Sequence, residues 1–188
     1  MVYPPREDSY LLASVIKKYL KNKSKDIKIL DMGSGSGIQA KTCINSGFKN
    51  VLAVDIDPEA IKHLKNQKLK VKQSNLFSEI FKRGLTYKRK LVPLRFDLIV
   101  SNPPYLPEHR YDKKMDTTAG KYGYELILKF LKQAKSHLNK DGEILLLFSN
   151  LSKPNIIKQN ARKLSYSYKK LSSKKLFFEI LYIYRFRL

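Results

Sequence analysis

The sequence predicts an α/β fold in which a mostly parallel sheet of seven strands closes with an antiparallel C-terminal hairpin and has helices on both faces. Segments with strand patterns alternate with segments of helical periodicity along most of the chain, which is typical of parallel sheets. The chain has 188 residues, 43% of them hydrophobic, which suffices for one large core and not for two. We therefore expect residues 1–188 to form a single domain.

The first predicted element is an amphipathic helix at residues 9–20, where apolar side chains recur at helical spacing opposite lysines. Asp8 or Ser9 can cap its start, and we expect residues 1–26 as a whole to cover a ligand site. Seven short apolar or β-rich runs have the length of buried strands. They lie at residues 27–32, 51–55, 69–73, 96–101, 143–148, 166–170 and 176–186.

Helices are predicted between these strands. Asp57-Pro58 supplies a capping side chain and a proline at the first helical position. Residues 124–138 have a long helical pattern, which the turn-forming residues 139–142 end. A last helix follows Pro154, and Ser172-Ser173 is predicted to form the turn of the C-terminal hairpin.

The composition is strongly basic, with 38 lysines and arginines against 16 acidic residues and a formal net charge of +22. Such a charge is typical of proteins that bind RNA, ribosomes or another polyanion. The lysines are spread through nearly every segment, however, as they would be in a lysine-rich proteome. Both interpretations stay open. The best candidate for nucleic acid binding is the segment 83–95, with Tyr87, Lys88, Arg89 and Lys90, which is equally compatible with a solvated loop.

Other classes of protein are disfavoured. Cys43 is the single cysteine, so an internal disulfide is excluded, and the scattered histidines form no spaced ligand cluster, so no metal site is predicted. The N-terminus lacks a basic stretch leading into an apolar run, and no segment approaches the roughly 18 apolar residues of a membrane span. We expect a cytoplasmic protein.

A glycine-rich turn follows the first predicted strand, where Asp31 leads into the glycines of residues 33–37. Glycine lets the backbone approach a ligand closely, and folds of this kind bind ligands at the carboxyl ends of parallel strands. Ile38 replaces the third glycine of the dinucleotide fingerprint, so a nicotinamide cofactor is disfavoured. Asp31 is positioned to meet a cationic amino group, and Asp55, at the tip of the second strand, can accept from both hydroxyls of a ribose.

The second candidate site is Asn102-Pro103-Pro104-Tyr105, which ends a buried strand abruptly. Because proline disfavours helical backbone in the preceding residue, Asn102 is held extended at the strand end, facing the same crevice as the glycine turn. The Asn102 amide oxygen and the Pro103 carbonyl can accept the two N–H groups of one NH₂, and Tyr105 offers a face for stacking. An amide or aromatic amino nitrogen is a poor nucleophile that such acceptors would orient for attack.

In this order, the motifs resemble those of the HemK-type glutamine methyltransferases, which are Rossmann-like enzymes that depend on S-adenosylmethionine. Residues 5–9 resemble the entry motif of the short archaeal and eukaryotic branch, and residues 102–105 match the Asn-Pro-Pro-Tyr catalytic motif. Residues 31–37, 55–58 and 119–123 resemble the cofactor loop, the ribose segment and a later glycine-containing segment. The resemblance covers nearly the whole catalytic domain of the family.

The resemblance implies S-adenosylmethionine as the cofactor and a catalytic role for Asn102, Pro103, Pro104 and Tyr105. The residues implied in cofactor binding are Ser9, Asp31, Gly33, Gly35, Asp55, Ile56, Asn75, Leu76 and Asn102. Two positions depart from the family pattern. Asn75 stands where aspartate is more common, which leaves a neutral amide oxygen for the adenine amino group, and Ala119 replaces one of two adjacent glycines.

For the short branch, the resemblance further implies a substrate and a partner. The substrate is the glutamine of the Gly-Gly-Gln motif in a class-1 translation termination factor, and a small zinc-binding subunit activates the enzyme. Residues 51–54 or the apolar part of the terminal hairpin are candidates for pairing with such a partner. About 26 residues precede the first predicted strand, so we do not expect them to form the helical substrate-binding bundle of bacterial members.

Two other functions remain open. The first is methylation of adenine N6 or another exocyclic amine in RNA or DNA, which presents the same planar NH₂ to Asn102. The charge of +22 favours it, although a duplex base must first be flipped into the site. The second is an inactive subunit that binds RNA or protein. The intact motif at residues 102–105 argues against it.

Overall fold

The computed structural model describes residues 4–83, 91–107 and 120–188. The strands in these ranges are β1 (Ile29–Met32), β2 (Val51–Asp55), β3 (Val71–Gln73), β4 (Phe81–Arg83), β5 (Leu91–Pro93), β6 (Phe96–Ser101), β7 (Leu138–Ser149), β8 (Ser167–Lys175) and β9 (Ile180–Arg187). The α-helices are α1 (Glu7–Tyr19), α2 (Ile38–Asn45), α3 (Pro58–Asn66), α4 (Glu125–Ala134) and α5 (Pro154–Lys163).

Seven of the strands form one sheet in the order β3-β2-β1-β6-β7-β9-β8. The first five of these run parallel, and β9 is antiparallel to both β7 and β8. The predicted α/β fold, with its mostly parallel sheet and antiparallel C-terminal hairpin, is therefore confirmed. The strand order reverses between β1 and β6, and folds of this kind bind ligands in the crevice at the carboxyl ends of such strands.

Two apolar cores on the sheet fix the helices in place. One core includes Phe130 of α4 and Phe148 of β7, and the other includes Leu12 of α1 and Leu64 of α3. The central strands are consequently buried on both faces, which explains their continuous apolar sequences. Complete burial of a leucine contributes roughly 1.5 to 3 kcal/mol, so residues such as Leu12 hold α1 firmly on the domain.

The predicted helix starts have different outcomes. Asp57 caps α3 as predicted, since its Oδ1 accepts from the Glu59 amide over 2.9 Å. Helix α1 instead begins at Glu7 and has no side-chain cap. Asp8 and Ser9 lie buried within its first turn, so the prediction that one of them caps the helix is wrong. Both side chains remain available for other contacts.

Both predicted turns are wrong. Residues 139–142 belong to β7, and Gly142 serves a close approach of two backbones there: a Cβ on it would lie 2.8 Å from the carbonyl oxygen of Phe96. Ser172 and Ser173 lie inside β8, paired with β9. The chain reverses later, between Lys175 and Ile180, because β9 offers backbone partners up to its first residue and a register shift absorbs the irregularity.

The sheet edges also correct one expectation about partners. Residues 51–54 lie in β2, which pairs with β1 on one side and with β3 on the other. Both sides of β2 are already paired, so the prediction that residues 51–54 pair with an activating partner is wrong. Within the described residues, β3 and β8 are the edge strands of the large sheet.

The basic segment 83–95 is described only at its ends, where β4 and β5 pair antiparallel. This small sheet was not predicted from the sequence. Tyr87, Lys88, Arg89 and Lys90 lie outside the described residues, as does Ala119. In the ranges that are described, every helix lacks the length or the apolar character needed to cross a bilayer.

Candidate active site

The two predicted ligand-binding motifs meet at the carboxyl ends of the parallel strands. β1 lies between β2 and β6, with Met32 opposite Val54 on one side and Ser101 on the other. The next residues along the three strands are Gly33, Asp55 and Asn102. Segments more than 60 positions apart in sequence are thereby neighbours at the carboxyl ends of the strands, as the sequence predicted.

The glycine turn holds its shape through backbone bonds. The amides of Gly33 and Ser34 both donate to the Val54 carbonyl over 2.9 Å. Gly33 and Gly35 have φ of +72° and +49°, a region that disfavours other residues. A Cβ on either would meet no atom within 4 Å. The turn therefore combines a conformation that requires glycine with open space beside the backbone, as a loop that receives a ligand must.

Asp31 is the buried carboxylate of the turn. Its Oδ2 accepts from the Ala40 amide at the start of α2 over 3.0 Å, whereas its Oδ1 is buried without a partner among the described residues. Burial raises the pKa of Asp31 to about 7, the Ala40 hydrogen bond opposes the rise, and the Asp55 charge adds to it. A cationic donor beside Oδ1 would relieve this desolvation.

Gln39 is a buried residue of this site that the sequence analysis missed. Its Nε2 donates to the Ser9 carbonyl over 3.0 Å, which ties α2 to the first turn of α1. Its Oε1 is buried and unpartnered within the described ranges, like Oδ1 of Asp31. An unpaired buried acceptor is unfavourable. These acceptors fit the cationic amino group of the cofactor that the sequence resemblance implies.

Asp55 organises the neighbouring loops. Its Oδ2 accepts from the Gly35 amide over 2.8 Å, and its Oδ1 accepts from the Asp57 amide over 3.0 Å. Each carboxylate oxygen has a second lone pair, so the ribose hydroxyls predicted to bind there can still be accommodated. Ile56, the next residue, exposes 56% of its surface, which leaves its side chain accessible to a flat ring.

The loop after β3 carries Asn75 and Leu76. The preceding residue, Ser74, donates from its amide to the Asp55 carbonyl and from its hydroxyl to the Leu76 carbonyl, over 2.9 and 2.7 Å. Leu76 is held at φ +50°, an uncommon conformation for leucine. The Asn75 side chain is exposed. The loop is thus tied to the predicted ribose site through buried Ser74, which carried no recognisable signal in the sequence.

Asn102 is oriented by Asp8. The Nδ2 of Asn102 donates to the Asp8 Oδ2 over 3.0 Å, while Asp8 Oδ1 accepts from the amide of Ser9 over 2.6 Å. A carboxylate can only accept, so the NH₂ end of the Asn102 amide must face Asp8. The other end, Oδ1, is buried and has no partner among the described residues. Asn102 therefore presents one fixed hydrogen-bond acceptor.

The rest of the motif is clamped through its backbone. The Tyr105 carbonyl accepts from the Ser152 hydroxyl over 2.8 Å. Gly123 approaches the same carbonyl so closely that a Cβ on it would lie 2.5 Å from the oxygen, and its φ of +78° also requires glycine. Pro103 is buried and Pro104 half-buried. The segment that resembles the later glycine motif thus supports the strand end at residues 102–105.

Comparison with known proteins agrees with this architecture. The methyltransferase small domain family matches the chain over residues 7–171. A protein of Methanocaldococcus jannaschii, provisionally named a protein N5-glutamine methyltransferase, is 35% identical over 158 residues, which cover 80% of this chain and 74% of that protein. A tRNA1(Val) (adenine(37)-N6)-methyltransferase of Haemophilus influenzae is 28% identical over 142 residues, which cover 71% and 58% of the two chains.

Bacterial relatives are longer proteins, of which this chain spans 32 to 58%. Among solved structures, the E. cuniculi Mtq2–Trm112 complex, responsible for methylation of the eRF1 translation termination factor, has a TM-score of 0.75 with this chain. The alignment covers 99% of this chain and 98% of that one at 20% identity. At that identity the likeness establishes the fold.

Proposed function

We propose, from the premise that this chain belongs to the methyltransferase small domain family of S-adenosylmethionine-dependent enzymes, that it methylates the side-chain amide of a protein glutamine. The substrate we propose is the glutamine of the Gly-Gly-Gln motif in a class-1 translation termination factor. The observation that carries the proposal is Oδ1 of Asn102, which is buried, has no partner among the described residues, and has its direction fixed by Asp8.

The main catalytic task of this chain is to orient a weak nucleophile. An amide nitrogen shares its lone pair with the carbonyl, so it reacts only when aimed well. In our proposal Oδ1 of Asn102 and the carbonyl of Pro103 accept the two N–H groups of the substrate, and the Tyr105 ring stacks on its plane. Orientation of this kind can contribute on the order of 7 to 11 kcal/mol. The same acceptors stabilise positive charge as the nitrogen gains the methyl group and releases a proton to water.

When bound, S-adenosylmethionine would supply the electrophilic methyl group from its sulfonium, and S-adenosylhomocysteine would leave as the neutral thioether. We propose that Asp31 Oδ1 meets its amino group, with Gln39 Oε1 as a second acceptor nearby. The open backbone of Gly33 and Gly35 would accommodate its chain, and Asp55 its ribose hydroxyls. The remaining residues assigned to the cofactor are Ser9, Ile56, Asn75, Leu76 and Asn102.

Glutamine is favoured as the substrate by the names of relatives. The M. jannaschii protein is named for N5-glutamine methylation, and the structural neighbour of the same length is responsible for methylating a translation termination factor. That neighbour is a complex, which supports a small activating subunit. We propose that a zinc-binding subunit of this kind joins the chain at an edge strand of the sheet, and that the protein acts in the cytoplasm, where termination factors are found.

Methylation of an RNA adenine is the second candidate. The H. influenzae relative is named for adenine N6 methylation of a tRNA, and the net charge of +22 suits RNA or a ribosome. An adenine amino group would satisfy Asn102 as an amide does. The two substrates differ in everything beyond the NH₂ group, so only a transfer experiment separates them.

The experiment offers labelled S-adenosylmethionine with three acceptors in parallel: a termination-factor domain, the same domain with the motif glutamine changed to alanine, and bulk RNA. Each reaction is run with and without a small zinc-binding partner. Label on the unchanged factor alone supports the proposal. Label on RNA alone overturns it in favour of the second candidate, and cofactor binding without transfer to any acceptor supports an inactive binding subunit.

A further inference from the structure

The turn between β8 and β9 carries the two most exposed large apolar side chains in the described part of the chain. Phe177 and Phe178 are 92% and 85% exposed. Their ring centroids lie 4.6 Å apart with planes at 83°, so the rings pack edge to face as one projection. We call these two residues the phenylalanine knob. A single exposed apolar residue is ordinary, whereas two packed rings with almost no other cover are typical of a binding surface.

The knob stands on a well-held turn. The Leu176 amide donates to the Glu179 carbonyl over 2.8 Å, which closes the turn between the paired residues Lys175 and Ile180. The Ile180 amide donates to Oδ1 of Asn150 over 2.6 Å, which anchors the turn to the segment after β7. A projection already ordered in this way loses little conformational freedom when it binds.

The knob lies at the same end of the sheet as the candidate active site, where the parallel strands have their carboxyl ends. Leu181, at the start of β9, is opposite Ser149 at the carboxyl end of β7. Leu146 of β7 is in turn opposite Ser101 at the end of β6, one residue before Asn102. A molecule that reaches Asn102 from this end therefore has the β8–β9 turn beside it.

Glu179 connects the knob to the catalytic motif. Ser149 and Asp8 both lie close enough to the Glu179 carboxylate to affect its pKa. Burial, and to a smaller extent Asp8, raises the pKa of Glu179. Asp8 is the residue that orients Asn102. Glu179 at the base of the knob therefore lies within electrostatic range of the carboxylate that orients Asn102.

The chemistry of this surface favours a polypeptide over a nucleic acid. Oε2 of Glu179 and Oδ1 of Asn102 are both buried acceptors without a donor among the described residues. Peptide N–H groups and a glutamine amide supply donors to both atoms without bringing negative charge, whereas the phosphates that accompany a nucleic acid base are repelled by the carboxylates of Asp8 and Glu179. On the outer side, exposed Lys174 and Lys175 precede the knob, which suits an acidic rim around an apolar depression.

We propose that the phenylalanine knob is the docking element for the protein substrate, and that it inserts into an apolar depression with an acidic rim beside the segment that carries the accepting glutamine. This inference rests on the proposed function. Aromatic anchors of this kind commonly carry a large share of the binding energy of an interface. The knob touches neither the cofactor residues nor Asn102, so its removal should weaken substrate binding and leave the chemical step intact.

The test compares the wild-type chain, F177S/F178S and the control Ile44→Ser, all with the zinc-binding partner present if transfer requires it. Ile44 is also an exposed apolar residue, at 41%, but lies in the last turn of α2, which leads back to the opposite end of the sheet. We expect F177S/F178S to raise KM for the termination-factor domain at least tenfold, with kcat within twofold and unchanged affinity for the methyl donor. Ile44→Ser should match the wild type.

The outcomes separate the two proposals. Transfer to the factor with an unchanged KM in F177S/F178S overturns the docking role and leaves the proposed function standing. Transfer to RNA alone overturns both. If no acceptor is methylated, the affinity of each variant for the Gln-to-Ala factor tests the docking role. A loss of affinity in F177S/F178S alone supports docking, and equal affinity in all variants overturns it. Sedimentation gives a further outcome. If the wild type is a dimer and F177S/F178S is a monomer, docking is also overturned, because the knob would then be a contact between copies of this chain.

Discussion

The side-chain amide of Asn102 donates to the carboxylate of Asp8 over 3.0 Å and so joins the end of β6 to the first turn of α1. This one bond determines which end of the Asn102 amide is free for a substrate. Since Ser9 also bonds to Asp8, a residue assigned to the cofactor and the residue assigned to the substrate share a single carboxylate. We therefore regard Asp8 as a positioning residue of the site.

Asp8→Asn should impair transfer while the protein remains folded. An asparagine can donate as well as accept, so it no longer forces the NH₂ end of Asn102 towards itself. A buried hydrogen bond to a charged group contributes about 1.5 to 3 kcal/mol, and we expect kcat to fall about 10- to 100-fold. Single-turnover rates at saturating substrate measure this effect, with calorimetric binding of the methyl donor as the second readout.

Glu7→Gln is the matched control for Asp8→Asn. Glu7 lies in the same turn of α1 but is exposed, so the same loss of charge should leave kcat within twofold. Equal losses in both variants would mean that charge in this turn, and not the bond to Asn102, supports the reaction.

Asn102→Ala should separate cofactor binding from transfer. The substitution removes the fixed acceptor Oδ1 but leaves Asp31, Asp55 and the glycine turn in place. We expect affinity for the methyl donor within about tenfold of wild type and loss of nearly all transfer, because the interaction lost is one made with the reacting nitrogen. Substantial turnover in this variant would remove Asn102 from the mechanism.

The parts of the site that follow from local rules could be predicted from the sequence. Glycine at positive φ after β1 and proline at the end of β6 restrict the backbone by themselves, and parallel strands bring their carboxyl ends together. Asp31, Asp55 and Asn102 were located in this way. The pairing of Asp8 with Asn102 joins residues 94 positions apart and depends on how α1 packs, so no local pattern contains it.

The wrong predictions also concern features that depend on long-range packing. Ser172-Ser173 is a good turn sequence by local preference, but β9 provides a strand partner for both residues, and pairing outweighs preference. The turn fell instead where the exposed Phe177 and Phe178 lie, at residues that would be assigned to a buried strand by hydrophobicity alone. Gln39 was missed because a glutamine in the first turn of a helix is ordinary until its burial is known.

Gly33→Ala should weaken cofactor binding more than it weakens the fold. At φ +72° an alanine costs about 1 to 2 kcal/mol of stability, and its methyl group would enter the open space assigned to the cofactor. We expect a modest fall in the melting temperature and at least a tenfold loss of affinity for the methyl donor. Calorimetric titration and thermal unfolding measure the two effects.

Gly47→Ala is the control that separates backbone strain at positive φ from obstruction of the cofactor site. Gly47 has φ +89° and its added Cβ would make only ordinary contact with Lys25, 3.6 Å away, in the turn before β2. The strain is similar, so stability should fall by a similar amount while cofactor affinity stays unchanged. A parallel loss of affinity in both variants would assign the effect to general destabilisation.

Asp31 should make both stability and cofactor binding depend on pH. Burial raises its pKa to about 7 from an ordinary value of 3.8, so between these values the folded protein holds a proton that the unfolded chain has released. The free energy of unfolding then falls as pH rises, by about 1.4 kcal/mol per pH unit and on the order of 4 kcal/mol in total, and is level above pH 7. Asp31→Asn removes this slope, which urea denaturation from pH 4.5 to 8 measures.

Cofactor binding should show the opposite trend in the same pH range. The cationic amino group of the methyl donor favours the ionised carboxylate, so binding below pH 7 must release the proton of Asp31. We therefore expect affinity to rise about tenfold per unit from pH 5.5 to 7 and one proton to be released per donor bound, which titration in buffers of different ionisation enthalpy counts. Asp31→Asn should bind weakly without this pH dependence, whereas Asp26→Asn, a change at an exposed carboxylate, should retain it. A flat binding profile in a wild-type protein whose stability does show the Asp31 slope would mean that the amino group does not contact Asp31, and the cofactor assignment would then lose its charged anchor.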